Sequence, residues 1–195
     1  TLFRSPGMLM TLEADHGIIL KELEDSDAGH IFETIDAQRL YLGRWLPFVA
    51  YTRTLSDTQA FIDSVTQAPA DRFEHVFSIW YHGDFAGLVG FKATDRQNRK
   101  TEIGYWLSEN FQKKGIMTRS VARLCELAFS EMDMNRVQIR CAVGNHDSIG
   151  IPQRLGFKFE GIERDGELLS GGIFTDLAVY SKLRKENREH PVQVD

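Results

Sequence analysis

The order and spacing of apolar runs predict a single α/β (α+β) domain, built on a mixed, mostly antiparallel sheet with helices on both faces. Three observations carry this. Two strand-like runs, residues 76–81 and 85–91, are separated by His82-Gly83-Asp84, a hairpin signal that implies antiparallel pairing. Ile116, Val121, Leu124, Ala128 and Phe129 recur at helical spacing in one long segment. The whole chain reads β-α-α-β-β-β-α-β-α-β-β, and its 195 residues contain no repeat or low-complexity linker that would divide it.

Ile18, Leu20 and Leu23 form the first half-buried run, closed by Glu24-Asp25-Ser26-Asp27, which can cap a helix. That helix turns Ile31, Ile35 and Leu40 inward. Pro47 ends it, because the proline ring disfavours helical geometry at Leu46. Ser56 and Gln59 read as a capping box for a second helix, in which Ala60, Phe61 and Val65 share a face before Pro69. A polar turn at 95–100 leads to a strand over 101–107, and a loop reaching Lys114 precedes the long helix. Over residues 136–143, Val137, Ile139, Cys141 and Val143 alternate against Gln138 and Arg140. A helix over 147–155 and strands over 157–163 and 174–183 follow, with Gly166, Gly171 and Gly172 between the strands. Residues 1–15 read as a loose leader, 16–184 as the domain, and 185–195 as a polar tail that frays.

Composition excludes several classes. The formal net charge is −5, so the surface lacks the basic field of a direct nucleic-acid binder. No window approaches 18 uninterrupted apolar residues, which argues against a membrane span. The N-terminal segment lacks the basic start, long apolar run and cleavage site of a secretory signal. Cys125 and Cys141 lie in apolar segments with no C-x-x-C pairing, which suits buried thiols in a cytoplasmic, reducing compartment. The six histidines show no metal-ligand spacing, and no metal is expected.

Residues 112–118 have the character of an anion-binding turn. A helix start exposes unpaired amides and the positive end of the dipole. Gly115 lets backbone approach a phosphate closely, and Lys113 and Lys114 add positive charge. By itself this pattern also describes an ordinary surface helix start. It is not a nucleotide P-loop, because Gly115 is followed by Ile116 rather than Lys-Ser or Lys-Thr.

Several separated motifs then occur in order: Arg44-Trp45-Leu46-Pro47, Glu102-Ile103-Gly104-Tyr105-Trp106-Leu107, Gln112-x-x-Gly115, Asn135-Arg136-Val137, Asn145-x-x-Ser148, Leu155-Gly156-Phe157, Glu160-Gly161, and Asp176 before a strand ending Tyr180-Ser181. Over about residues 16–184 the chain resembles the GNAT acetyltransferase superfamily, and within it the RimJ/RimL-type ribosomal-protein N-terminal acetyltransferases. The resemblance implies a sheet splayed at the cofactor site. It implies that Tyr105, Trp106 and Leu107 pair with the pantetheine arm of acetyl-CoA as an added strand. Gln112, Lys113, Lys114, Gly115, Ile116, Met117 and Thr118 would hold the pyrophosphate, with Asn145 orienting the pantetheine through its side-chain amide and Ser148, three residues on, also at the cofactor. Met117 stands where relatives usually carry Gly or Ala.

Acetyl transfer needs a neutral amine, stabilisation of the developing oxyanion and a proton for the departing thiolate. An α-amine titrates near 8 against about 10.4 for lysine, so it demands only a weak base. Glu102, on the strand beside the expected thioester, is the first candidate base, with a pKa raised by burial; Glu167 is the second. A solvent-facing or salt-bridged Glu102 is the competing reading. Ser148 can protonate the thiolate, since Pro152 occupies the place of the tyrosine many relatives use; Asn145 and Ser148 also suit helix capping. Trp45 and Phe48 can wall the acceptor cleft. The resemblance implies direct transfer to a protein N-terminus, that of a ribosomal protein. A small amine such as a polyamine or antibiotic, or noncatalytic acyl-CoA binding, are the alternatives. Exposed sheet edges and apolar residues near the last strands are compatible with a homodimer.

Overall fold

The computed structural model describes residues 9–189. Eight strands form one sheet: β1 (Thr11–Asp15), β2 (Ile18–Glu22), β3 (Val76–Tyr81), β4 (Asp84–Asp95), β5 (Lys100–Leu107), β6 (Arg136–Ala142), β7 (Lys158–Leu169) and β8 (Ile173–Leu183). Their spatial order is β1-β2-β3-β4-β5-β6-β8-β7. Neighbours pair antiparallel except β5 and β6, which run parallel. The helices are α1 (Ala28–Ala37), α2 (Arg39–Gly43), α3 (Leu55–Thr66), α4 (Ile116–Ser130), α5 (His146–Arg154) and α6 (Arg184–Glu189).

Period-two alternation feeds two cores. On one face Ile31 and Ile35 of α1, Leu42 of α2 and Ile62 of α3 pack on Leu88 and Trp106. On the other, Val121, Leu124 and Ala128 of α4 and Ile151 of α5 pack on Val89, Phe91, Ile103, Val137 and Ile139. Residues 85–91 of β4, covered on both sides, therefore read as a nearly continuous apolar run, whereas β6 keeps its alternation.

Several boundaries differ from the sequence reading. Residues 11–15, assigned to the leader, form β1 and pair with β2, burying Leu12; residues 1–8 lie outside the described chain. Leu40, expected inward, is 94% exposed, because Gln38 breaks the helical path and rotates α2 relative to α1. The capping box of α3 is Thr54 with Asp57 rather than Ser56 with Gln59: the Thr54 hydroxyl accepts from the Asp57 amide, and the Asp57 carboxylate accepts from the Thr54 amide. Consequently Ile62 is sealed and Phe61 stays partly exposed. Gly166 lies inside β7, and residues 184–189, placed largely in the tail, form α6. The break at Pro47 occurs as expected, with Leu46 extended at φ −112° and ψ 99°.

The feature that positions the site is the parting of β5 and β6. Their register holds for only three pairs, Lys100 with Arg136, Thr101 with Val137 and Glu102 with Gln138. Beyond Glu102, residues 103–107 have no partner on β6, while β6 continues paired to β8. A wedge opens in the middle of the sheet.

Candidate active site

The wedge is walled by β5 on one side and by the start of α5 on the other. Asn145 caps α5, its side-chain oxygen accepting from the Ser148 amide at 3.4 Å. The Tyr105 hydroxyl crosses the gap, donating to the Ser148 carbonyl at 2.9 Å and accepting from the Ser148 hydroxyl at 3.3 Å. The Ser148 hydroxyl also lies 3.3 Å from Cys141 Sγ. Burial, with the neighbouring Cys141 next in weight, pushes the Tyr105 phenol well above its ordinary value, and burial likewise raises the Cys141 thiol. Both are neutral at physiological pH, so the junction is a chain of uncharged donors.

Two cavities meet there. One, of about 420 Å³, is lined by Tyr41, Arg44, Tyr105, Trp106, Leu107, Gln112, Met117, Asn145, Ser148 and Ile151, among others. The other, of about 470 Å³, lies under α1 and α3 and includes Pro47, Phe48, Phe61, Leu88, Lys92, Gly104, Arg140, Glu167 and Leu177. They share Trp45, Leu46, Tyr105, Trp106, Asn145 and Ser148. The two chambers therefore share one wall at the parted strands.

The loop at residues 112–115 ends the first chamber. Lys113 and Gly115 both adopt left-handed geometry, at φ 64° and 73°, and Gly115 caps α4. A side chain at Gly115 would meet the Arg119 guanidinium, so glycine serves here both for its backbone freedom and for the close approach of that arginine. Ile116, Met117 and Thr118 turn their side chains into the core. The first-turn amides of a helix have no intrahelical acceptor, which leaves donors and a dipole end at the chamber's edge. Met117 lines the first chamber. Lys113 and Lys114 are exposed beside it.

Glu102 departs from the sequence expectation. The residue is 4% exposed, but its pKa is not raised as anticipated. Burial raises its pKa; the hydrogen bonds from Arg140 and Gln138 and the charges of Lys92 and Arg140 outweigh that and hold it below the usual carboxylate range. Cross-strand register explains the network, since Lys92 and Gln138 sit opposite Glu102 on β4 and β6. Oε1 accepts from Gln138 Nε2 at 2.8 Å and Arg140 Nε at 2.7 Å, and Oε2 lies 3.2 Å from Lys92 Nζ. Glu167 behaves oppositely. On β7 opposite Thr175, it is half-buried in the second chamber, and burial raises its pKa against the pull of Lys92 and Arg140.

The structure thus brings together Tyr105, Trp106, Leu107, Gln112, Met117, Asn145 and Ser148 around one chamber, with Lys113, Lys114, Gly115, Ile116 and Thr118 in its adjoining loop and helix start. Glu167 lies in the other chamber and Glu102 in the sheet beneath it. Lys92, Arg140 and the Tyr105 side chain escaped the sequence reading. The alternation of β6 did place Arg140 on the Gln138 side, but the partners it meets depend on register.

Comparison with known proteins identifies the family. Residues 18–158 match the acetyltransferase (GNAT) domain family, and the chain belongs to it. It is an N-acetyltransferase that takes its acetyl group from acetyl-CoA. YdaF of Bacillus subtilis, whose name places it among ribosomal N-acetyltransferases, is 37% identical over 180 residues, covering 91% of this chain and 97% of that protein. Spermidine N(1)-acetyltransferase of Escherichia coli is 25% identical over 75% of each chain. Among solved structures, the microcin C7 self-immunity acetyltransferase MccE, in complex with acetyl-CoA and AMP, superposes with a TM-score of 0.82 at 29% identity, covering 87% of this chain and 94% of that one. RimL in complex with coenzyme A has the same fold, with a TM-score of 0.86 at 23% identity over 91% and 99% of the two chains. Among the described residues no helix is long and apolar enough to cross a membrane.

Proposed function

We propose that the chain acetylates the N-terminal α-amine of a ribosomal protein, with acetyl-CoA in the chamber at Met117 and the acceptor in the chamber at Glu167. The observation that carries this reading is the shared wall: both chambers open onto Tyr105, Trp106, Asn145 and Ser148, so a thioester entering from one side meets an amine entering from the other.

On this reading the β6-facing side of residues 103–107, which has no partner on that strand, takes the pantetheine arm as an added strand. The amides of 113–118, with Lys113 and Lys114, take the pyrophosphate. Glu167, whose raised pKa suits a weak base, receives the ammonium proton directly or through water, and the freed amine attacks the thioester carbon. Ser148 Oγ gives a proton to the departing sulfur and takes one back, through water, from the nitrogen of the collapsing tetrahedral intermediate, while the Tyr105 hydroxyl holds the serine in place across the gap. Acetyl-CoA contributes the activated acyl group; the protein contributes placement and two proton positions.

The acceptor chamber favours a single amine over a polyamine. Glu167 is the one carboxylate among its lining residues, and Lys92 and Arg140 share the same wall. A polycation such as spermidine needs several anions, whereas one α-amine followed by an uncharged side chain needs one. Names borne by relatives, YdaF and the ribosomal-protein-serine acetyltransferase of E. coli among them, support the ribosomal acceptor. The deciding experiment incubates purified ribosomal proteins and, separately, spermidine with enzyme and acetyl-CoA, then measures intact masses and free thiol. An acetyl increment on one protein's N-terminal peptide is expected. Acetylation of spermidine alone would overturn the reading.

A further inference from the structure

Three charged side chains lie in a cluster that the reaction as described does not use. Lys92 and Glu102 are register partners on β4 and β5, and Arg140 reaches Glu102 from β6. The Lys92 arm crosses the bare backbone of Gly104, where a Cβ would stand 3.3 Å from its Cε. A side chain at Gly104 would press on the arm that carries the ammonium back to Glu102. Arg140 is held at both ends, by Glu102 through Nε and by Glu163 through Nη1 at 3.0 and 3.1 Å. Lys92, Arg140 and Glu167 nevertheless line one chamber, and among the described residues Glu167 has no salt bridge.

We infer that Glu102 is a positioning residue that keeps Glu167 competent as a base, by holding Lys92 and Arg140 on its own carboxylate and away from that of Glu167. The inference rests on the acceptor-chamber reading above. Two cations beside a lone half-buried carboxylate would otherwise pair with it, stabilise its anion and make it a poorer proton acceptor. A sealed anion with four donor contacts outcompetes Glu167 for both. The direction of each neighbour's effect agrees: burial and the Glu102 charge raise the Glu167 pKa, while Lys92 and Arg140 lower it.

The groups facing Glu167 are few enough to name. Lys92 comes from β4, Glu102 and Tyr105 from β5, and Arg140 and Cys141 from β6. Glu163 lies on its own strand, engaged by Arg140. Strand β8 presents Thr175 opposite and Asp176, whose carboxylate accepts from the Asp165 amide. The α1 and α3 walls contribute Ile31, Ile35, Thr58 and Phe61, without charge.

The test is a carbon-13 NMR titration of the Glu167 carboxylate, assigned by its loss in Glu167→Gln, in wild type, Glu102→Gln and Lys92→Met. Glu102→Gln is expected to move the midpoint to lower pH, and Lys92→Met to higher pH. In parallel, Glu102→Gln raises activity on the acid limb of the profile relative to about pH 8, by at most about threefold for a half-unit displacement. A merely structural Glu102 would alter melting temperature and leave the midpoint in place; an unmoved or upward midpoint in folded Glu102→Gln overturns the inference. Should that variant fail to fold, Lys92→Met decides alone, since Lys92 is largely exposed; a midpoint that stays or falls overturns the inference. If midpoints shift as stated while the activity profile does not, the charge relationship stands and Glu167 is not the base.

Discussion

The Tyr105 hydroxyl donates to the Ser148 carbonyl at 2.9 Å while the Ser148 hydroxyl turns back to Tyr105 at 3.3 Å. This reciprocal pair joins β5 to α5 across the gap where β5 and β6 have separated. It stands at the wall between the two chambers and ties the geometry of the opening to the group proposed to protonate the thiolate.

Ser148→Ala should therefore lower kcat about 100-fold with acetyl-CoA binding little changed, the loss ordinarily seen when a proton donor is removed. Tyr105→Phe should cost about tenfold in kcat, because the Ser148 carbonyl and hydroxyl then lose the phenol that fixes them across the gap. Steady-state rates together with calorimetric affinity for CoA check both. Equal losses in affinity and in kcat would mark the pair as purely architectural.

Gly115→Val should weaken acetyl-CoA binding by about tenfold or more. A β-branched residue at φ 73° costs on the order of 1–3 kcal/mol, and its Cβ would collide with Arg119. Lys113→Ala and Lys114→Ala should each weaken binding a few-fold and mainly at low salt, since both charges are exposed. Calorimetry at two ionic strengths separates the backbone effect from the charge effect.

Stability should depend on pH in a way Glu102 dictates. Its folded pKa lies below the unfolded value, so its contribution is present above about pH 4.3 and is lost as pH falls through the lowered folded value. Glu102→Gln should be less stable than wild type by about 2 kcal/mol at neutral pH, and the two curves should converge in acid. Denaturant melts across the pH range measure this.

Glu167 carries the opposite sign. Its pKa is raised in the fold, so its stabilising share belongs to low pH, and its ionisation opposes folding as pH rises. Glu167→Gln should be at least as stable as wild type at neutral pH while losing activity. That pattern, with function and stability in opposition at one residue, is a common mark of a working site. A Glu167→Gln protein both less stable and fully active would contradict its assigned role.

The strands and helices were legible from the chain because apolar alternation and helical spacing are local signals: the hairpin over β3 and β4, the long α4 and the alternation of Val137, Ile139 and Cys141 needed no tertiary knowledge. Boundaries were less so. Thr54 and Ser56 are equally good caps in composition, and only the geometry of the entering chain selects Thr54. The strand at residues 11–15 has modest apolar content, and pairing with β2 gives it order.

For the site, the sequence by itself determined its chemical vocabulary. It supplied a glycine-led helix start, a carboxylate on β5, another on β7, and the Asn145 and Ser148 pair, because helix-end amides and side-chain types follow from local chain order. Only the assembled sheet shows which carboxylate is tied up by cations: Glu102 carries two salt bridges, and Glu167 has none among the described residues. Lys92 and Arg140 are 10 and 38 residues from Glu102 in the chain, and register sets them on its carboxylate. A pKa depends on charges and water excluded at a few ångströms, whatever their distance along the sequence. Burial pushes both carboxylates upward and so could not tell them apart; the neighbours brought by the sheet did.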